Sequence, residues 1–162
     1  MRSKTMHIAF GFVLLVAVAS SWFIPTSTVY AGPQANKLEG TWRVQVTIRD
    51  CQSGAALRTF AAMLTFAQGG TLTETTTGFP PAARTPGHGV WRHTDDHTYT
   101  AVSEAFLFNP AGVWTGTQRL TQVIEFGDDP DELTSVATNE IFDTNRNLIL
   151  SGCATAVAHR LE

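Results

Sequence analysis

Cysteine is scarce in this 162-residue chain: the two present, Cys51 and Cys153, stand 102 positions apart, and no Cys-x-x-Cys occurs. That spacing gives no support to a metal pair or to a redox dithiol. Helical periodicity is also missing. After residue 32 no window keeps apolar residues at a 3.6 spacing for three turns, so amphipathic helices have little place. Basic clusters are lacking as well. The arginines stand singly, and residues 32–162 carry nine Lys or Arg against fourteen Asp or Glu, a net of −5. Nucleic acid and anionic membrane surfaces are therefore poor partners. There is no Gly-x-Ser-x-Gly, and Ser103, Ser135 and Ser151 stand without a nucleophile signature. Gly87-His88-Gly89 lacks the third glycine and the following helix of a phosphate cradle. No internal repeat and no low-complexity tail are present.

What the N-terminal region does hold is an address. Residues 1–7 carry Arg2 and Lys4, residues 8–19 are an apolar run, and Val29 and Ala31 are small residues before Gly32. This is the three-part layout of a secretory signal peptide cut after Ala31. The rival is an uncleaved anchor, because the apolar stretch extends to Ile24, but Ser20 and Ser21 interrupt it and a spanning helix needs about 20 apolar residues. The expectation is a signal peptide over 1–31, a short leader over 32–37, and a single domain over 38–162. The protein would be secreted or periplasmic, with no membrane contact after cleavage. In that compartment the two cysteines are expected to be paired.

The remainder reads as strand. Thr is abundant, and Val, Phe, Tyr and Trp recur in short runs broken by Gly, Pro, Asp and Asn. Eight strands are expected, over roughly 39–50, 58–68, 70–77, 88–94, 97–108, 113–126, 132–142 and 148–161. Most connections suit neighbouring antiparallel strands. The exception is residues 78–89, with three prolines and three glycines. Proline supplies no ladder donor, so this segment is expected to be a loop over one barrel mouth, either a lid or a surface loop with no role.

The first and last strands carry the architecture. In the first, Trp42, Val44, Val46 and Ile48 alternate with Thr41, Arg43, Gln45, Thr47 and Arg49, so the even set faces the core. In the last, Ala154, Ala156, Ala158 and Arg160 alternate with Cys153, Thr155, Val157 and His159. Antiparallel partners have a constant index sum. Trp42 with Arg160 and Cys51 with Cys153 demand nearly the same register and the same parity. One alignment thus puts the disulfide outside and the Trp–Arg pair inside. First-to-last pairing closes a meander into an all-β, eight-stranded antiparallel up-and-down barrel, and the inner alanines leave room within it.

Gly40-Thr41-Trp42 resembles the Gly-x-Trp motif on the first strand of the lipocalins and the wider calycin superfamily. In that group an Arg near the end of the last strand packs over the Trp and closes one barrel end, and Arg160 matches that place. The resemblance implies a calycin-like barrel, with Trp42 and Arg160 structural, that holds a small ligand. The lipocalin Thr-Asp-Tyr motif is missing, and so are the polar residues that follow Gly-x-Trp in avidins, so biotin is not implied.

Candidates for chemistry are few. His93, Asp95, Asp96 and His97 would have to converge from one short stretch to bind metal; Asp in a hairpin is ordinary turn chemistry. Residues 143–147 imitate the start of a calcium loop but have Leu148 where Gly is needed and Ala154 where the bidentate Glu is needed. No metal or cofactor is expected. Glu104, Gln118 and Glu140 lie inside strands. Either the carboxylates face solvent or pair with Arg119 or Arg92, or they line a ligand pocket with Trp91, Tyr99, Phe106, Phe108 and Trp114 as apolar wall. The leading expectation is a non-catalytic barrel that binds a small apolar or amphipathic molecule. The alternatives are a cyclase- or isomerase-like enzyme using lumen carboxylates as acid and base, and a structural or interaction module with a filled barrel.

Overall fold

Alternation of β-branched and polar residues produces a continuous series of strands: β1 (Gly40–Arg49), β2 (Ala56–Ala67), β3 (Thr71–Thr76), β4 (Gly87–Asp95), β5 (Thr98–Phe108), β6 (Trp114–Phe126), β7 (Glu132–Asp143) and β8 (Leu148–Arg160). The computed structural model describes residues 37–161. The expected signal peptide and all but the last residue of the leader lie outside the described residues. Each strand pairs antiparallel with the next, and β8 returns to β1, closing the barrel. Closure removes the two free edges that an open meander would present.

The β1–β8 ladder has the expected register. It runs from Trp42 opposite Arg160 to Arg49 opposite Cys153 without a slip. Cys51 lies just beyond the end of β1, in the turn, and is disulfide-bonded to Cys153 with Cα atoms 5.3 Å apart.

One end of the barrel is sealed by its own side chains. Trp42 is fully buried and packs edge-on against Phe126, with ring centroids 5.7 Å apart; Tyr99 meets the same Phe126 at 5.8 Å. The Arg160 guanidinium carbon lies 4.2 Å from the centre of the Trp42 ring system, a cation–π stack. Its nitrogens donate to the Glu39 carbonyl (2.7 Å), the Lys37 carbonyl (2.7 Å) and Asp131 Oδ1 (2.8 Å). The Trp42 indole N–H donates to the Leu38 carbonyl at 3.0 Å. Residues 37–39 are thereby drawn across the barrel end, with Leu38 buried beneath them. The glycine of Gly40-Thr41-Trp42 has a local reason. Its φ is +129°, and a Cβ there would stand 2.7 Å from Arg160 Nη1.

At the opposite end the β7–β8 hairpin turns through residues 143–147. The Asp143 carboxylate accepts the backbone N–H groups of Asn145 and Asn147, both at 2.8 Å, and the Asn147 side-chain amide at 2.9 Å. These bonds, that of the Asn147 side chain foremost, hold the Asp143 carboxyl below its ordinary pKa. Arg146 takes a left-handed φ of 67° in this turn, which costs an L-residue about 1–2 kcal/mol. Arg146→Gly is expected to stabilise the protein by about 0.5–1 kcal/mol, after the extra entropy of an unfolded glycine is subtracted. The midpoint of urea denaturation measures it.

Candidate functional site

Above the sealed floor the barrel stays open, enclosing a cavity of about 390 Å³. One wall is apolar. Val44, Val46 and Ile48 of β1, Phe60, Ala62 and Leu64 of β2, and Ala154 and Ala156 of β8 line it. The β8 alanines face inward, and their missing side-chain volume becomes the space within. At the mouth Phe79, Ile141 and Leu150 join this surface, and the Arg58 guanidinium packs over the Phe60 ring at 5.0 Å while donating to the Gly78 carbonyl at 2.8 Å.

The opposite wall is polar, and the proline-rich segment builds it. Residues 83–85 lie along the end of β5: the Thr85 N–H donates to the Phe106 carbonyl (3.1 Å) and the Phe108 N–H to the Ala83 carbonyl (2.9 Å). This places Arg84 inside the barrel, where it is ion-paired to Glu74 of β3; the two residues are only 6% and 4% exposed. Arg84 Nε donates to Gln118 Oε1, the Gln118 amide donates to Asn139 Oδ1, and Arg84 Nη1 donates to the Thr85 carbonyl at 3.0 Å. The segment is thus neither an outer lid nor a loop without a role: it threads a charged side chain into the lumen. Room for the Glu74 carboxylate comes from Gly87 on β4, where a Cβ would overlap Glu74 Oε1. A smaller space of about 280 Å³ lies under the same segment, between Thr75, Thr76, Phe79 and Pro86, and shares Arg84 with the main cavity.

Deeper on the polar wall stand Gln122 of β6 and Ser135 of β7. They are 8% and 7% exposed and line the cavity. Among the described residues neither side chain has a hydrogen-bond partner. Ser103 of β5 is also buried with its Oγ unpaired among the described residues, but it does not line the cavity.

Of the seven residues weighed from the sequence as a ligand wall, Gln118 lines the cavity. Trp91 and Tyr99 are buried in the floor cluster beneath it; burial raises the Tyr99 pKa above its ordinary value. Glu104, Phe106, Trp114 and Glu140 do not line the lumen, a correction to that expectation. The cause is strand parity. On β5 the inward residues are Tyr99, Ala101, Ser103 and Ala105, so Glu104 and Phe106 point outward. Glu104 pairs with Arg119 at 2.9 Å on the outer face, one of the two partners anticipated for it. Such an exposed pair contributes under about 1 kcal/mol. Phe106 packs edge-on against Trp114, centroids 6.2 Å apart, both exposed. Glu140 stands on the outer side of β7, opposite Arg119 in the ladder. Phe108, considered with them, is likewise no part of the lining.

His93 packs its ring against Tyr99 at 4.8 Å, Asp95 ends β4, and Asp96 and His97 form the turn that follows. Among the described residues no group of three or more His, Cys, Asp or Glu side chains is gathered closely enough to hold a metal ion. Sequence reasoning missed Glu74, Arg84, Gln122, Ser135 and Asn139. Glu74 carried a signal, since it shares the parity of Leu72, the buried apolar residue of β3. Arg84 carried none, because a loop has no period. The sequence matches no protein-family model and no curated protein.

Proposed function

We propose that this protein is an exported, calycin-type barrel that binds a small amphipathic molecule in its lumen without transforming it. The observation that carries the reading is the open cavity of about 390 Å³ with one apolar wall and one polar wall. That size lies within the range of small-ligand sites, and a few placed polar groups against an apolar surface are what such sites have. A filled structural barrel would have no such space. A proton-transfer enzyme would want two convergent carboxylates. Among the described lining residues Glu74 is the single carboxylate, and Arg84 neutralises it. The disulfide fits an oxidising compartment, and the signal-like segment over residues 1–31 supplies the route.

The test is binding of Nile red, a neutral dye that fluoresces in apolar surroundings, to wild type and Ala156→Phe. Ala156 lines the cavity opposite Val46, so a phenyl group there occupies ligand space. Wild type is expected to bind one dye per chain, and the variant at least about tenfold more weakly with its melting transition retained. Equal binding by both proteins would place the dye elsewhere and refute the lumen reading. Native mass spectrometry of protein purified from its own source is expected to show a co-purified small molecule.

A further inference from the structure

Of the three charged side chains that line the cavity, Arg84 and Glu74 are paired on the polar wall and Arg58 stands at the mouth. Arg84 and Glu74 neutralise each other within the barrel, and Gln118 and Asn139 extend that network. A ligand carboxylate or ammonium on that wall would have to displace one member and leave the other buried without its partner, which is strongly unfavourable. Gln122 and Ser135, in contrast, are more than nine-tenths buried, line the cavity and have no hydrogen-bond partner among the described residues. Buried polar groups are almost always bonded to protein or to water, so a pair that faces the open cavity without a protein partner is served by whatever fills the lumen, and a ligand that reaches it takes over those bonds.

Their depth sets the direction. On β6 the chain runs from Trp114 at the open end to Phe126 in the floor, so Gln122 lies deeper than Gln118. On β7, which begins at the floor, Ser135 lies deeper than Asn139. The Gln122 and Ser135 positions are diagonal neighbours across the β6–β7 ladder, where Gln122 faces Ala137 and Ser135 faces Ile124. At the mouth the surface is apolar, from Phe79, Ile141 and Leu150.

Resting on the lumen reading above, we infer that the ligand is an uncharged amphipath that enters head first. Its neutral head, which both donates and accepts hydrogen bonds as a primary amide does, bonds Gln122 and Ser135, and its hydrocarbon body extends to the mouth. A fatty-acid anion in the reverse pose, with its carboxylate at Arg58, would press its tail against Gln122 and Ser135 and leave them unsatisfied, which weakens binding.

The experiment is displacement of Nile red at neutral pH by three ligands of equal chain length: dodecanamide, dodecanoate and dodecylammonium. Dodecanamide is expected to bind at least about tenfold more tightly than either ion. Gln122→Leu and Ser135→Ala are each expected to weaken dodecanamide several-fold to about tenfold, with Nile red still bound. Gln122→Leu is also expected to leave the melting temperature of the ligand-free protein within a few degrees of wild type, because the Gln122 side chain has no hydrogen-bond partner among the described residues. Dodecanoate binding as tightly as the amide would overturn the inference. So would an amide affinity unchanged in both variants, or a larger fall in stability of Gln122→Leu, which would mark Gln122 as structural. If Nile red itself fails to bind, the lumen reading falls, and this inference with it; if Nile red binds and the amide shows no preference, only the head-group inference falls.

Discussion

Arg84→Met is expected to destabilise the barrel by about 3–5 kcal/mol, the usual cost of breaking a buried ion pair from one side. Glu74 would be left as a carboxylate only 4% exposed, held over Gly87 without its ion-pair partner. Gln118 would lose the donor to its Oε1, and residues 83–85 would lose the side chain that ties them into the lumen. Removing both charges is expected to be far milder. Arg84→Met with Glu74→Gln should recover most of the loss, because desolvating two ions consumes most of what their attraction returns. Urea denaturation of wild type, the single variant and the double variant gives the cycle. A single variant within about 1 kcal/mol of wild type would mean that water reaches Glu74 and that the pair is not sealed in the wall.

Removal of the Cys51–Cys153 bridge, by reduction or by Cys51→Ala with Cys153→Ala, is expected to cost about 4–5 kcal/mol in the chain-entropy model. The bridge spans 102 positions and joins the first strand of the barrel to the last, so the unfolded chain gains a great deal of freedom when it is cut. For a domain of this size that loss lowers the melting temperature by roughly 10–20 °C. The folded state should keep its closure, because the β1–β8 ladder and the Arg160 clamp on residues 37–39 are independent of the sulfurs. Thermal scans with and without reductant measure the effect. A melting temperature that ignores reductant would show that the clamp alone confines the unfolding route.

How much of this was legible in the sequence varies from strand to strand. On β1, alternation between Trp42, Val44, Val46, Ile48 and the polar odd residues identifies the inner face because the two sets differ sharply in polarity. The same holds for the index sums that put Arg160 over Trp42. On β5 the rule misleads. Its inward set is mostly small, with Ala101, Ser103 and Ala105, while Val102 and Phe106 face outward. Small inner residues on this strand accompany the Arg84 arm, which bridges to Leu107 at its end. Hydrophobicity alone would turn such a strand inside out and carry Phe106, with Glu104 at the same parity, into the lumen.

By itself, then, the sequence determined the strand count, the closure of first strand on last, the cysteine pairing and the Trp42–Arg160 seal. The strand count and the closure follow from local periodicity and constant register, which a linear chain displays directly; the cysteine pairing follows from the exported context, and the seal from the resemblance carried by Gly40-Thr41-Trp42 and Arg160. Only the tertiary structure decided the contents of the lumen. Glu74 and Arg84 meet across a segment that has no period, Gln122 and Ser135 become neighbours through the β6–β7 ladder, and the free volume is what the inner alanines and glycines leave unfilled. Such a cavity depends on the summed size of side chains from many strands at one level of the barrel, and no single stretch of sequence carries that sum.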